Sequence, residues 1–201
     1  MEYALPTMLP LQHWPREANI SLERFFTYSP TVDERFFNTG ISDSVRLQMR
    51  EQLNAKDKFV LLYHGHTHLA RGIIETIRAV KEAHDRGLKE IMLIILGTSS
   101  DDQKILRYVE ENKLRHLVSL CPPVKYDVVA KYVAASDLGV IPFPDHVWFR
   151  EASPIKILES LSMGLPVLCT DLPGLRWVSQ FADGAIVFTQ DNIDSRVEGV
   201  M

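Results

Sequence analysis

Cysteine is nearly absent from this chain of 201 residues: only Cys121 and Cys169 occur. Two thiols so far apart form no disulfide framework and no metal-ligand spacing, and both are expected to be small buried residues in a reducing compartment. Basic charge is not in excess. Twenty-two Lys and Arg against 26 Asp and Glu leave a formal charge of −4, which argues against the basic stripe of a nucleic-acid binder. Long apolar runs are missing as well. The longest, IMLIIL at 91–96, is far short of a membrane span. The opening MEYALPTMLPLQ has no basic start and is broken by Pro6 and Pro10, so it does not read as a secretory signal. The expectation is a cytoplasmic protein with no transmembrane segment and no nucleic-acid partner. No G-x-x-x-x-G-K-[ST] string occurs, which removes a P-loop, and no D-x-D occurs.

What is present is ordinary for a globular chain. Apolar residues make up 46% and charged residues 24%, enough to build a real core and to set disorder aside. Four of the eleven prolines fall in the first thirty residues, and little there is periodic, so residues 1–40 read as a linker or hinge remnant and 41–201 as one domain. SPTVDERFF, 29–37, reads as a turn into a docking segment with Phe36 and Phe37 as aromatic plugs. Ser42 or Asp43 should cap a short helix to about Leu53, with Val45, Met49 and Leu53 on one side.

From Lys58 onward, short apolar runs alternate with helical patterns. Strands are expected at 59–64, 90–97, 116–121, 137–143, 166–170 and 184–188. Helices are expected at 71–87, with Ile73, Ile77, Val80 and His84 on one face, after a cap at Ser99 or Ser100, at 126–136, at 153–164 and at 172–181. The helix at 153–164 should have Ser153 as N-cap, Pro154 at its first position and Gly164 past its end. The strands are continuous apolar runs, the mark of a parallel sheet covered on both faces. The predicted fold is therefore α/β, doubly wound and Rossmann-like, with a six-stranded parallel sheet. In such sheets ligands bind outside the carboxyl ends of the strands, so the loops at 64–72, 97–101, 121–126, 143–153 and 170–174 should carry function.

GHTHLARG, 65–72, has glycines at both ends but is not G-x-G-x-x-G, and Glu90 opens a strand instead of meeting a ribose, so NAD binding is weakly supported. His64, His66 and His68 alternate, which on a strand would place three imidazoles on one side. A metal site is the weaker reading, because the strand ends near His64 and no carboxylate is close in sequence. EASPIKILE, 151–159, is the most informative segment. A helix N-terminus at Ser153–Pro154–Ile155 offers unpaired N–H groups to a phosphate. Glu159, two turns in, can accept hydrogen bonds from the vicinal hydroxyls of a ribose, and Glu151, in the loop, from a sugar. The alternative leaves Glu159 as a solvated helix residue and Glu151 as a turn cap.

These residues resemble a known family. The stretch 59–188 is similar to the C-terminal, donor-binding domain of GT-B glycosyltransferases of the retaining family 4 type, the glycosyl transferases group 1. EASPIKILE followed by SLSMGLPVLCTDLPG resembles the family's E-x7-E motif and its A-x-G-x-P-V-V trailer. GHTHLARG resembles G-R-L-x-x-x-K-G, ASDLGVIPF resembles the A-D strand before its loop, and SPTVDERFF resembles the N-G-V-D-x-x-x-F hinge. The resemblance implies half of a GT-B fold that binds a nucleoside-diphosphate sugar as donor and transfers a hexose to a glycan or lipid acceptor, as in polysaccharide biosynthesis, without a metal or other cofactor. It implies that Glu151 bonds the donor sugar and Glu159 the ribose. The amides of Ser153, Ile155 and Lys156 would receive the diphosphate, together with Arg71 in place of the family's lysine. Gly65 would let backbone approach the ligand, and Pro122, Pro123 and Val124 would hold the base. Arg71 and Glu151 would be the catalytic pair.

The chain departs from the family pattern in three ways. His66 stands where the family has Arg, which removes a permanent positive charge. Ser153–Pro154 replaces Phe-Gly, and Lys156 is either a phosphate contact or a solvent-facing first-turn lysine. The N-terminal domain, with its histidine and acceptor site, is expected to be missing, so the chain should be an excised domain, a fragment or one subunit of a split enzyme, poorly active alone and reaching a membrane only peripherally through its other half. Two other readings stand beside this one: a non-catalytic nucleotide- or protein-binding module, for which Trp148 and Phe149 would offer an apolar face, and a fragment of a GT-B sugar epimerase.

Overall fold

The computed structural model describes residues 30–201; the prolines at 6, 10 and 15 and most of the expected linker lie outside the described residues. Six strands form one sheet: β1 Phe59–His64, β2 Ile91–Leu96, β3 Val118–Cys121, β4 Leu138–Ile141, β5 Val167–Thr170 and β6 Ile186–Thr189. Their order is β3-β2-β1-β4-β5-β6, and every pairing is parallel. The chain winds outward from β1 to β3, then returns to the other side of β1 with β4. This is the doubly wound order, and its switch point lies between β1 and β4. The longest ladder runs from Phe59 opposite Ile91 to His64 opposite Leu96.

Successive side chains of a strand point to opposite faces, and here both faces are covered. Leu61, Tyr63, Leu93 and Ile95 enter one cluster beneath α2 Ile73–Asp85 and α3 Asp102–Glu111, while Val60, Leu62, Ile94 and Leu96 enter another beneath α1 Asp43–Gln52 and α4 Tyr126–Ala135. Burying each such Leu, Ile or Val contributes about 1.5–3 kcal/mol, which is why strands that read as unbroken apolar runs settle in the middle of the sheet. A third cluster joins β4 and β5 to α6 Ile155–Ser162, with Ile141, Ile157, Val167 and Leu175 at its centre. The short helices α5 Val147–Arg150 and α7 Pro173–Arg176 flank it, and α8 Ile193–Val200, beyond the expected helices, packs on α2.

Several expected boundaries move, each for a local reason. The helix expected at 71–87 is split into a 3-10 turn, Leu69–Arg71, and α2, because Gly72 adopts φ +78. Any Cβ there would stand 2.0 Å from the carbonyl oxygen of Pro142, so the glycine allows the loop after β4 to touch the start of α2. Ile73, Ile77 and Val80 are buried as expected, but His84 is only half-buried, against His116, and Ala83 takes the interior position. The cap of α3 is Asp101, not a serine. The last strand begins at Ile186 because residues 182–185 form a turn with Gly184 at φ +81. Cys169 is buried, and burial pushes its thiol up to about 12, whereas Cys121 is only half-buried.

Phe37 is buried in the α1 and α4 cluster. The turn that carries it is closed by the amides of Phe36 and Phe37 donating to the Asp33 carbonyl, both at 3.0 Å. α1 is fastened by charge. Arg46 and Arg50 reach Asp137 at 2.7 and 3.0 Å, and the same carboxylate accepts the amide of Val60 at 2.8 Å. Arg50 is buried and also donates to the carbonyls of Ala55, Lys58 and Ala135, so its donors are satisfied in the way a buried guanidinium requires.

Candidate functional site

At the carboxyl ends of β1 and β2 lies a cavity of about 400 Å³. Its walls include His64 and Gly65 after β1, Gly97 after β2, Val124 and Tyr126 at the head of α4, and Lys156 and Glu159 on α6. The floor is made by glycine. Gly65 has φ +112 and Gly97 φ +147, and a Cβ on Gly97 would stand 1.8 Å from the Gly65 carbonyl oxygen. Side chains at these positions would fill the space between the two loops.

Lys156 and Glu159 are three residues apart on α6, so they share a face, and that face is turned inward. Lys156 is 7% exposed. Its Nζ has no hydrogen-bond partner among the described residues and lies 4.2 Å from the ring centre of Tyr63 and 5.8 Å from that of Phe143. The ring faces attract the ammonium, but they do not replace water. Burial, reinforced by the nearby charge of Arg71, pulls the ammonium down to about 7, with Glu159 opposing the shift. The solvent-facing lysine weighed in the sequence is thus a buried one. Tyr63 is held in place by donating its hydroxyl to the His66 carbonyl at 2.6 Å, and burial pushes its phenol up to about 12.

Glu159 is equally enclosed, at 3% exposure, and so is not a solvated helix residue. One carboxylate oxygen accepts from Tyr126 Oη at 2.8 Å and the other pairs with His64 Nε2 at 2.9 Å. Burial alone would raise its carboxyl; the bonds from His64 and Tyr126 outweigh that and hold it below its usual range. Burial pushes the His64 imidazole down. The pair is therefore a carboxylate bonded by a neutral imidazole, with the proton on Nε2. A carboxylate offers about four acceptor positions, and two of them remain free for a ligand.

The other expected residues take separate places. The α6 cap is Pro154, with φ −71 and ψ 132, instead of Ser153. Ser153 Oγ accepts the indole N–H of Trp177 at 3.0 Å. Ile155 and Lys156 thereby open the helix, and their amides fall outside its internal ladder. Arg71 does not line the cavity, but its guanidinium lies 5.4 Å from the Phe143 ring centre, so it shares that ring with Lys156. Glu151 ends α5, and its Oε2 is buried without a partner among the described residues. Its loop is held by Gly174, where a Cβ would meet the Ala152 carbonyl oxygen at 2.4 Å. Pro123 and Val124 line the cavity, whereas Pro122 lines an adjoining one of about 360 Å³. His66 is exposed, stacks on His68 at 6.1 Å between ring centres, and lines the same cavity as the buried His64. Among the described residues no three His, Cys, Asp or Glu side chains converge on a possible metal.

Sequence reasoning missed Tyr126, His64 as the partner of Glu159, and the rings of Tyr63 and Phe143. Tyr126, the first residue of α4, closes the stretch 121–126 expected to carry function after a strand. The inward turn of Lys156 was also available, since a residue three before an inward Glu159 must share its face.

The buried Lys156 Nζ thus stands at a helix opening, on a sheet wound in the doubly wound order. The family model described as glycosyl transferases group 1 matches residues 45–201. The chain belongs to this family. Its relatives include the alpha-D-kanosaminyltransferase of Streptomyces kanamyceticus, 22% identical over 160 residues, which make up 80% of this chain and 40% of that one. The crystal structure of WaaG, a glycosyltransferase involved in lipopolysaccharide biosynthesis, superposes with a TM-score of 0.81 at 19% identity, covering 98% of this chain and 52% of WaaG. HepE from Anabaena, solved in complex with UDP, gives 0.77 at 16% identity with the same two coverages. The chain thus spans about 40% of the length of its curated relatives and about half of these solved structures. Among the described residues no helix is long and apolar enough to cross a membrane.

Proposed function

We propose that this glycosyltransferase domain is the donor-binding half of a retaining enzyme that transfers a hexose from a nucleoside-diphosphate sugar to a glycan or lipid acceptor. The observation that carries the reading is the buried ammonium of Lys156, without a hydrogen-bond partner among the described residues, at the opening of α6 and on the wall of a cavity large enough for a nucleotide. A buried cation that lacks an anion is costly, and a diphosphate supplies one. The amides of Ile155 and Lys156 and the positive end of α6 add to the same attraction. Glu159, on the same wall, has acceptors left for ribose hydroxyls, and Pro123 and Val124 offer an apolar edge to the base. HepE's complex with UDP supports a nucleotide in this fold.

In the transfer step, negative charge grows on the departing diphosphate as the bond to the sugar breaks. Lys156, Arg71 and the α6 amides would stabilise that charge in place, with no metal needed. Glu151 would bond the sugar, and a second Rossmann-like domain, in the same chain or a partner subunit, would bring the acceptor. The test is calorimetric titration of UDP, GDP and ADP into the wild type and Glu159→Ala. One nucleotide should bind, and the substitution should weaken it about tenfold or more. Silence with all three from a folded sample would overturn donor binding by this chain. It would favour an interaction module; of the expected face, Trp148 is 74% exposed on α5, whereas Phe149 is half-buried and stacked on Phe143.

A further inference from the structure

The bond from Tyr126 to Glu159 belongs to a longer chain of contacts. Tyr126 is the first residue of α4, where no preceding helical turn limits the side chain's rotamers. Two rings remove that freedom. Phe36 meets the Tyr126 ring edge-on at 6.0 Å and 87°, and Phe37 meets it at 5.0 Å and 54°. Phe37 is itself buried among the side chains of α1, β1 and α4. The hydroxyl of Tyr126 is thereby delivered to one oxygen of Glu159 while His64 holds the other. Without the first bond, the carboxylate would hang from His64 alone and turn about its terminal torsion, which is broad and only two-fold.

We infer that Tyr126 is a positioning residue that fixes the plane of the Glu159 carboxylate and so sets selectivity for a ribose with both vicinal hydroxyls, and that Phe36 and Phe37 hold it there. This rests on the nucleotide-binding reading above. Two neighbouring hydroxyls bond both oxygens of one carboxylate at least entropic cost when that carboxylate is already held in one orientation. A site built to bond a hydroxyl discriminates against the analogue that lacks it, because its acceptor is then left bare. The Tyr126 phenol remains a donor at all ordinary pH, since burial and the Glu159 charge both push it upward.

The experiment uses the full chain and compares each of UDP, GDP and ADP with its 2′-deoxy counterpart by calorimetry, in the wild type, Tyr126→Phe and Phe36→Leu, with a thermal melt on each. Tyr126→Phe keeps the ring packing and removes only the hydroxyl. It should weaken the ribonucleotide about fivefold or more and the deoxynucleotide less than about twofold, so that selectivity collapses. Phe36→Leu should move selectivity the same way by a smaller factor. Equal loss for both ligands, or no loss for either, would overturn the inference and leave Tyr126 a packing residue. A wild type that binds ribo- and deoxynucleotide alike would overturn it while leaving nucleotide binding intact. A wild type that binds neither would overturn both.

Discussion

Replacing Lys156 with methionine should make the protein more stable and unable to hold a nucleotide. Methionine keeps the length and apolar stem of lysine and removes the charge. Holding an ammonium at about 7 in the folded chain, against 10.5 in the unfolded one, corresponds to roughly 5 kcal/mol of destabilisation at pH 6, where both states are protonated. That difference already contains the attraction of the Tyr63 and Phe143 rings, so the net gain for Lys156→Met should be on the order of 5 kcal/mol at pH 6. The sign with pH follows from proton counting. Above about 7 the folded chain binds fewer protons than the unfolded one, so wild-type stability rises with pH until 10.5. The advantage of methionine should therefore shrink steadily and fall to about 1 kcal/mol or less by pH 10. For a domain this size, about 5 kcal/mol is a rise in Tm of roughly 10–20 °C. Thermal melts of both proteins at pH 6, 8 and 10, with titration of the nucleotide bound by the wild type, measure all of it. A methionine variant that is less stable at pH 6, or whose advantage does not change with pH, would refute the burial argument; one that binds nucleotide at full strength would refute the role in phosphate binding.

Gly97→Ala should cost about 3 kcal/mol or more in urea unfolding, because it combines a left-handed backbone with a clash against Gly65. Gly87→Ala has an equally unusual φ, +123, but nothing within 4 Å, so it should cost only about 1–2 kcal/mol, and similar losses at the two sites would show that the clash does not matter. Glu159→Ala leaves the donors of His64 and Tyr126 unmet and should destabilise by about 1–3 kcal/mol besides its effect on binding, which a chemical melt can read. Asp137→Ala strands the buried Arg50 and should cost about 3 kcal/mol or more; a loss below about 1 kcal/mol would mean that water replaces the carboxylate.

The sheet was legible in the sequence because six apolar runs, each too short for a helix of its own, alternate with helical patterns, and that alone implies a parallel sheet buried on both sides. What periodicity could not give was the placement of single caps. Pro154 and Ser153 both suit the start of α6, and only the demand of the Trp177 indole for an acceptor decides between them. The site was legible as a segment, 151–159, and through the family resemblance, but its internal bonding was not. Glu159 lies 95 residues from His64 and 33 from Tyr126, and nothing local in a sequence links partners at that distance. Helix α8 was within reach: Ile193, Val197 and Val200 follow a helical spacing, and its N-cap Asn192 accepts the Ser195 amide.

The Asp137 clamp also imposes an order on assembly. The carboxylate is 77 residues from Val60 and 91 from Arg46, and it stands at the entrance to β4, the strand that pairs with β1. The long loop between β1 and β4 must close before this anchor exists, and closure entropy is spent before any contact with α1 can offset it. Helix α1 and the turn bearing Phe36 and Phe37 therefore gain their hold only on a sheet already joined at its centre. The side of the cavity that Tyr126 closes is completed after the side built by Gly65 and Gly97.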